Sequence, residues 1–455
     1  MPVATRHVIH RLRDVGRQTD MRTALVGGVP RELLRVQHDQ LPAERLFEDV
    51  RDFDVVVEGD ALIYVKELHR RLPGRIVENA PFRTATLTLD DGVILDIASA
   101  RTEEYEAPGA LPTVSTAGTS LSQDMARRDF TVNAMALDLS DTPGELIDPT
   151  GGAGDVADKQ IRVLHPRSFI DDPTRLARAL RYSIRLEYDL EPATRSLYIA
   201  AVEEAVADHL TPERIRYELE CIGREERWAE IWAVMDLTRL TRSLTRELSA
   251  ISRDWELEDA AAFDVGLANQ RELLGSEDIQ PWLLRTAWVL RAVRSDDLES
   301  AAGRIGLFPR HLRWLTGSRR VLREAVPKLP AARRPSEICK LLERFPRQAV
   351  VFAVFLYQPK TEDGVAARKY MLRYLTEFSS VRSELSGDDL LAMGFSPGPL
   401  LGQVRDELRY SRLDGVIKDV ETEREYARAF LTPGAAGSEH GGAVGEEDER
   451  EDGDG

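Results

Sequence analysis

Two patterns of hydrophobic and polar positions divide the chain near residue 165. Before it, short apolar runs alternate with polar segments and with Gly, Pro and Asp turns, which is typical of mixed α/β structure. We predict strands over residues 23–26, 51–57, 84–89 and 93–98, with a hairpin turn at 90–92. Helices are expected to begin at Arg31 and to cover residues 61–72.

From residue 167 onward the pattern is helical. Long amphipathic segments predict helices over residues 174–186, 211–222, 281–293, 337–345 and 365–378. The sequence therefore predicts an α+β fold, in which a head with a mixed sheet precedes an all-helical remainder. The expected regions are a head (1–165), a helical neck (166–235), a helical body and tail (236–432) and a disordered acidic tail (433–455).

Composition and charge exclude several classes of protein. The 455 residues are 42% hydrophobic, contain no run of 18 apolar residues and begin without a signal-peptide core, so we expect a cytoplasmic protein without membrane contact. Cys221 and Cys339 are the only cysteines, which excludes a disulfide scaffold and a cysteine-rich zinc module. The net charge is −17, of which residues 433–455 contribute −7, so any nucleic-acid site must be a local basic patch.

A pair of carboxylates marks the first candidate site. Asp52 and Asp54 flank Phe53 in a predicted strand, and since side chains alternate along a strand, both carboxylates project from one face. Neighbouring carboxylates repel each other unless a cation lies between them, and Mg²⁺ prefers such oxygen ligands. An exposed strand edge explains the same pattern without a metal. Asp96 on the hairpin is a candidate third carboxylate, with an exposed polar position as the alternative.

A glycine turn supplies a candidate anion site upstream of the carboxylates. Gly27 and Gly28 follow the first predicted strand and precede Arg31, and backbone N–H groups at such a turn approach phosphate closely. A tight turn that requires glycine is the simpler explanation.

A charged cluster starts the apolar segment near residue 130. Arg127, Arg128 and Asp129 form either a clamp for polyphosphate and sugar, since arginine matches phosphate oxygens, or a surface ion pair of little consequence. The residue types alone do not decide between the two.

A further acidic and basic segment carries the most specific candidate chemistry. On a helix, Asp172, Arg175 and Arg178 lie at i, i+3 and i+6, close to one face, with Arg181 next along. An intrahelical ion pair explains Asp172 and Arg175 by itself. Alternatively, the carboxylate accepts from the amino group of cytosine or adenine while the guanidinium donates to the adjacent ring acceptor, a pattern that guanine and uracil reverse. Such a pair selects C and A without a nucleic-acid template.

The order of these motifs resembles one known family. The chain carries, in sequence, LVGGVPRELL, DFDVVVEGD, RRDFTVNAMAL and DDPTRLARALRYSIRL, as does the class II tRNA nucleotidyltransferase and bacterial poly(A) polymerase family of the DNA polymerase β superfamily. The resemblance covers residues 22–222, although Pro30 and Glu32 replace the usual Val and Asp, and Asp171 replaces a Glu. Near the C-terminus, GDDLLAMGFSPGPLLG resembles a helical segment of many tRNA nucleotidyltransferases.

The resemblance implies a polymerase-β-like nucleotidyltransferase head with a metal and phosphate site. Asp52 and Asp54 would hold the catalytic Mg²⁺ ions, and Asp96 would occupy the place of a third carboxylate. The turn residues that would contact the nucleotide triphosphate are Gly27, Gly28 and Arg31.

The resemblance also implies contacts to sugar and base. Arg128 would contact the incoming nucleotide, with Asp129 near the ribose. The residues that would form a protein template for C and A are Asp172, Arg175, Arg178 and Arg181. The neck would thus recognise the base, and the body and tail would bind tRNA.

The implied activity is template-independent addition of C and/or A to the tRNA 3′ end from CTP and ATP, with release of pyrophosphate. Addition of CCA is the default, and addition of CC only or A only stays open. A poly(A) polymerase of the same fold is the alternative, separable by its long product. A catalytically inactive RNA-binding protein is the alternative of another class, against which the Asp52 and Asp54 pair argues. No protein partner is inferred.

Overall fold

The computed structural model describes residues 3–39, 52–116, 118–140, 144–244, 247, 257–275 and 279–431. The predicted acidic tail, residues 433–455, lies outside the described residues. None of the helices in these ranges combines the length and the hydrophobicity that a transmembrane span requires.

The chain forms two compact units. The first comprises Met1–Ala262 and Gln280–Phe308, and it contains every candidate site residue. The second comprises Phe263–Ile279 and Pro309–Gly455. The predicted head and neck both fall in the first unit, and the boundary between them stays a prediction.

A seven-stranded mixed sheet lies in the first unit, and with the helical remainder it confirms the predicted fold class. Its strands are β1 (Arg22–Val26), β2 (Asp52–Glu58), β3 (Gly74–Asn79), β4 (Thr84–Leu89), β5 (Ile94–Ser99), β8 (Ala136–Asp138) and β9 (Leu146–Ile147). Their spatial order is β3-β4-β5-β2-β1-β8-β9, in which β2 and β5 are parallel and the other neighbours antiparallel.

Two short ladders lie outside this sheet. β6 (Thr102–Glu104) pairs with β7 (Thr113–Ser115), and β10 (Gln160–Ile161) pairs in parallel with β11 (Asp189–Leu190). Because β11 lies beyond residue 166, the prediction of an all-helical neck was wrong for these two residues. A two-residue ladder is too short to leave a periodic pattern in the sequence.

The helices, in chain order, are α1 (Val3–Thr19), α2 (Gly28–His38), α3 (Ala61–His69), α4 (Leu121–Ala126), α5 (Gly152–Ala157), α6 (Ser168–Asp171), α7 (Thr174–Leu186), α8 (Pro192–Glu203), α9 (Pro212–Ile222), α10 (Trp228–Leu237), α11 (Leu240–Leu244), α12 (Leu257–Asn269), α13 (Glu272–Gly275), α14 (Pro281–Leu290), α15 (Leu298–Arg304), α16 (Pro309–Glu324), α17 (Pro335–Leu342), α18 (Arg347–Leu356), α19 (Glu362–Arg373), α20 (Gly387–Ala392), α21 (Pro399–Leu413) and α22 (Val420–Ala429). A π-helical turn, Tyr374–Phe378, continues α19. The five predicted helices correspond to α7, α9, α14, α17 and α19, and α7 matches at both ends.

The alternation of side chains in β2 separates a core face from a site face. Phe53, Val55 and Val57 pack into a core with side chains of α1 and α3. Each buried apolar side chain of this size contributes about 1.5–3 kcal/mol. A register slip of one residue would exchange these side chains with Asp52 and Asp54, so the core fixes the direction in which the carboxylates project.

Candidate active site

The exposed face of β2 presents the two acidic side chains predicted from sequence. Asp52 and Asp54 are exposed, and Phe53 between them is buried. The parallel register of β2 and β5 places Asp54 opposite Asp96, whose Oδ1 accepts a hydrogen bond of 2.5 Å from the Thr86 hydroxyl. The three carboxylates therefore lie on one face of neighbouring strands.

The electrostatics of this face favour a bound cation. The cleft around Asp54 desolvates its carboxylate and raises its pKa; Arg128 opposes this shift, and the like charges of Asp96 and Asp52 add to it. Within the described residues, neither Asp52 nor Asp54 forms a hydrogen bond or an ion pair shorter than 4 Å. Unpaired carboxylates that repel one another fit a hard divalent cation.

The same face does not form a complete metal cage. The described part of the chain contains no group of three or more His, Cys, Asp or Glu side chains that could hold a metal ion. Two carboxylates would therefore bind a cation only together with water and substrate oxygens, as is usual for Mg²⁺ beside phosphates. A role for Asp96 as a third acidic residue stays a prediction.

The turn before α2 lies directly beside Asp54. Gly27 adopts a positive φ of 65°, and a Cβ atom there would lie 2.8 Å from Asp54 Oδ2, so both the turn and the close approach require glycine. Gly28 begins α2. Pro30 lies in the first turn, where N–H groups have no intrahelical acceptor, so its missing donor does not break the helix.

Arg31 is held in one orientation by its neighbours. Its side chain is buried and donates to Asn133 Oδ1 and, over 3.1 Å, to Glu32 Oε1. The guanidinium also lies 5.7 Å from the centroid of the Tyr182 ring. Glu32, one of the three residues that depart from the family pattern, accepts from Arg35 as well. Such anchoring presents a fixed positive charge beside the glycine turn.

Arg127 and Arg128 are anchored by Asp124, a residue not singled out from the sequence. The Asp124 carboxylate is fully buried and accepts from Arg127 Nη2 at 2.7 Å and from Arg128 Nη2 at 3.0 Å. Burial alone would raise the pKa of Asp124, but attraction by Arg128 and Arg127 outweighs burial and lowers the pKa. These ion pairs are internal, so the alternative of an inconsequential surface pair is wrong.

Asp129 connects this cluster to α7. Its Oδ2 accepts from Arg178 Nε at 3.0 Å and Nη2 at 2.5 Å, and its Oδ1 accepts from the Phe130 N–H and from Asn133. Arg178 outweighs the effect of burial and lowers the pKa of Asp129 to about 2. Both carboxylate oxygens already have protein partners, and a contact of Asp129 with the ribose stays a prediction.

Asp172 does not lie on the helix that contains the arginines. It precedes α7 in an extended conformation, with φ −130° and ψ 91°, and its side chain does not pair with Arg175. The placement of Asp172 on the helix face, and with it the intrahelical ion pair, was wrong. The physical reason is Pro173, because a residue before proline is disfavoured in the helical region. Asp172 Oδ1 instead accepts from Thr174 and from Arg214, which is 42 positions further along the chain.

The arginines of α7 differ in how many of their N–H donors already have protein partners. Arg175 is buried, donates from Nη2 to the Arg127 carbonyl at 2.9 Å, and has no hydrogen-bond partner for Nη1. Arg178 binds Asp129. Arg181 lies 3.3 Å from Glu225 and 3.9 Å from Glu218, and its Nε also has no hydrogen-bond partner, but Arg181 does not line the cleft described below. Arg175 therefore has a donor free for a ligand.

A cleft of about 520 Å³ joins most of these groups. Of the twelve predicted site residues, ten line it, whereas Asp96 and Arg181 do not. The cleft is bordered by the carboxylates of β2, the turn before α2, the arginine cluster and the start of α7. A volume of this size suits a nucleotide-sized ligand.

Comparison with known proteins agrees with this geometry. Residues 23–162 match the family described as the poly A polymerase head domain. The A-adding tRNA nucleotidyltransferase of Halalkalibacterium halodurans is 29% identical over 430 residues, which cover 93% of this chain and 92% of that protein. The A-adding tRNA nucleotidyltransferase of Geobacter sulfurreducens is 30% identical over 94% of this chain, which spans only 49% of the length of that relative.

Two solved structures resemble this chain over nearly its whole length. A CCA-adding enzyme in an apo form has a TM-score of 0.70 and 26% identity, covering 95% of this chain and 97% of that chain. The Thermotoga maritima CCA-adding enzyme complexed with tRNA has a TM-score of 0.64 and 25% identity over the same shares. The chain is therefore similar over nearly its whole length to the class II tRNA nucleotidyltransferase and bacterial poly(A) polymerase family.

The structure adds residues to the tRNA nucleotidyltransferase motifs that sequence reasoning missed. The further lining residues of the cleft include Glu103, Tyr105, Asn133, Tyr182 and Arg185. Tyr182 was detectable, because it stands in the same helix as three singled-out arginines, and four guanidinium groups lie within 5.7 Å of its ring centroid. Glu103 has no comparable signal, since its partner Arg101 is only two residues away and only the fold brings Arg127 to it.

The buried ion pair between Asp129 and Arg178 predicts that the stability of the protein falls in acid. Because the pKa of Asp129 is lowered to about 2, its stabilisation is complete above the ordinary value near 3.8 and is lost as pH falls from there towards 2. We expect Asp129→Asn to lower the free energy of unfolding by on the order of 2 kcal/mol at pH 7 and by progressively less below pH 4. Urea unfolding at pH 3 to 7 measures this; a difference that does not change with pH would contradict it.

Proposed function

We propose that this protein adds C or A to the 3′ end of tRNA, using CTP or ATP and releasing pyrophosphate. The observation that carries the proposal is a single cleft that joins an unpaired carboxylate pair, Asp52 and Asp54, to the free donor of Arg175 and the carboxylate of Asp172. The two carboxylates suit phosphoryl chemistry, and the Arg175 donor together with the Asp172 acceptor suits recognition of a base edge.

The reaction is an in-line displacement at the α-phosphorus. The oxygen of the tRNA 3′-hydroxyl forms the new bond to phosphorus and releases its proton to solvent, while the bond from the α-phosphorus to the bridging oxygen breaks and pyrophosphate leaves with that electron pair. Asp52 and Asp54 would hold Mg²⁺, which supplies Lewis-acid activation of the hydroxyl and neutralises charge on the leaving group. No covalent intermediate with the protein is required.

The chain's own residues orient the triphosphate. The N-terminus of α2 presents backbone N–H groups at Gly28, and Arg31 and Arg128 add fixed positive charges beside it. Asp124 and Asn133 hold these two arginines in place, so little side-chain entropy is lost on binding. This arrangement supports catalysis by positioning rather than by a general base.

A-addition is the variant that the relatives favour. The two relatives matched over 93% and 94% of this chain are both named A-adding enzymes. The base-reading pair, an acceptor at Asp172 and a donor at Arg175, is compatible with both cytosine and adenine, so it does not decide the variant.

The test supplies purified protein with tRNA that ends at the discriminator base, at C or at CC, and with CTP and ATP separately. A-addition predicts that ATP is used on tRNA ending in CC and that CTP is not used on any of the three. Use of CTP on the two shorter tRNAs would reassign the variant to CC or CCA addition. A long tail would identify a poly(A) polymerase, and no incorporation with Mg²⁺ would support an inactive RNA-binding protein.

The acidic tail provides a second prediction about RNA binding. Residues 433–455 carry −7 of the net charge of −17 and lie outside the described residues. Because phosphate contacts release counterions, we expect tRNA affinity to fall linearly with salt on a log–log plot. Deletion of residues 433–455 should leave the affinity unchanged or tighten it slightly, as measured by filter binding at several salt concentrations. Loss of binding would mean that the tail is a functional element.

A further inference from the structure

Within the described residues, only one of the two carboxylate oxygens of Asp172 has hydrogen-bond partners. Its Oδ1 accepts three hydrogen bonds, from the Thr174 N–H at 3.0 Å, the Thr174 hydroxyl at 2.6 Å and Arg214 Nη2 at 2.5 Å. In the described part of the chain, Oδ2 has no hydrogen-bond partner. One oxygen is thus saturated and the other is available at a residue that lines the cleft.

The side chain of Arg214 is held in this position by two hydrogen-bond acceptors. It lies in the first turn of α9, and its side chain is 18% exposed. While Nη2 binds Asp172, Nη1 donates to the Gly109 carbonyl at 2.7 Å. Gly109 has a φ of +69°, and a Cβ there would lie 2.9 Å from His209, so the acceptor carbonyl is itself closely packed. A planar guanidinium with two fixed partners has little freedom left.

Base selection depends on the direction of the Asp172 carboxylate. Cytosine and adenine present an amino group at the edge that the carboxylate would read, and uracil presents a carbonyl. An ionised carboxylate accepts hydrogen bonds only, so its free oxygen attracts the amino group and repels the carbonyl. A carboxylate that could rotate would lose part of this discrimination, because positional errors of a fraction of an ångström weaken a recognition site.

We propose that Arg214 is a positioning residue for base selection, which fixes Asp172 so that Oδ2 alone is presented to the nucleobase. The inference rests on the proposed function and names a residue 42 positions from the one it orients. Thr174 cannot substitute for it, since both of its bonds come from the residue two positions along the chain and hold only that local turn. Arg214 connects Asp172 to a separate element, α9.

The experiment compares Arg214→Gln with Arg304→Gln. Arg304 is a matched control, because it also donates from both terminal nitrogens of a half-buried side chain, but to the carbonyls of Leu210, Ala207 and Asp208. The readout is the ratio of kcat/KM for the accepted nucleotide to that for UTP. We expect Arg214→Gln to lower this ratio about tenfold and Arg304→Gln to leave it unchanged. A ratio measured on one preparation is independent of the folded fraction.

A double-mutant cycle with Asp172→Ala completes the test. If Arg214 acts through Asp172, Arg214→Gln changes the ratio in wild type and makes no further change in the Asp172→Ala background. An additive effect, or an unchanged ratio for Arg214→Gln, would overturn the inference while wild-type addition of C or A leaves the proposed function standing. Wild-type protein that adds neither nucleotide would instead overturn the proposed function and the inference with it.

Discussion

Asp54→Ala should reduce nucleotide addition at least a thousandfold, which corresponds to about 4 kcal/mol of transition-state stabilisation. The reason lies in β2, where Asp54 is exposed on the same face as Asp52 and lies opposite Asp96, with no protein cation within ion-pair distance in the described ranges. A single remaining carboxylate would hold a divalent cation weakly. The measurement is single-turnover incorporation of labelled nucleotide into tRNA with saturating Mg²⁺.

The control for this prediction is Asp90→Ala, which removes an exposed carboxylate from the hairpin turn before β5 and leaves β2 intact. This variant should retain wild-type incorporation. Since the Asp54 side chain is exposed and forms no hydrogen bond, its removal should leave tRNA binding and the urea midpoint close to wild type. Near-normal turnover by Asp54→Ala would refute the metal site at β2.

The lowered solvation of Asp54 has a further consequence for this site. Desolvation in the cleft and the charges of Asp96 and Asp52 raise its pKa, so some negative charge is lost at a higher pH than for an ordinary aspartate. A bound divalent cation stabilises the ionised form and reverses this shift. The fold therefore places a carboxylate with a raised pKa where a bound cation would relieve the repulsion.

Features with a local periodic cause were predictable from sequence. The alternation of β2 followed from the two-residue period of a strand, and α7 was predicted to its last residue because its apolar positions follow helical spacing. The six-residue strand β3, the short strands β8 and β9 and the helix α1 were not predicted. β8 and β9 have three and two residues, too few to establish a period, and they are defined by pairing with distant strands.

The partners of the site residues were not predictable from spacing. Asp124 anchors Arg128 over four residues, but Arg214 reaches Asp172 from another helix, and no pattern along the chain marks such a pair. Pro173 was a usable signal that was not applied, because it disfavours helix at Asp172. Sequence therefore predicted most of the side chains that the fold gathers in one cleft, while their orientation depends on contacts that only the fold creates.

Asp172→Ala should lower discrimination against UTP roughly tenfold to a hundredfold, equivalent to about 1–3 kcal/mol. In the proposed site the free Oδ2 of Asp172 would be the acceptor that favours an amino group, and its removal would leave a cleft that no longer repels the carbonyl of uracil. UTP should then compete far better than it does in wild type. The measurement is the ratio of kcat/KM for CTP or ATP to that for UTP.

Arg175→Ala should have a different effect, because in the proposed site the unpartnered Nη1 of Arg175 would donate to a ring acceptor that cytosine and adenine share. Use of both nucleotides should weaken together. The matched control for Asp172→Ala is Asp171→Ala. Asp171 is the neighbouring carboxylate in the sequence, it binds Arg167, and it does not line the cleft. Catalysis should persist in all three variants, because the proposed triphosphate contacts, Gly28 and Arg31, are unchanged in them. If Asp172→Ala leaves the ratio at its wild-type value, Asp172 only anchors Arg214 and Thr174, and base selection must lie elsewhere in the cleft.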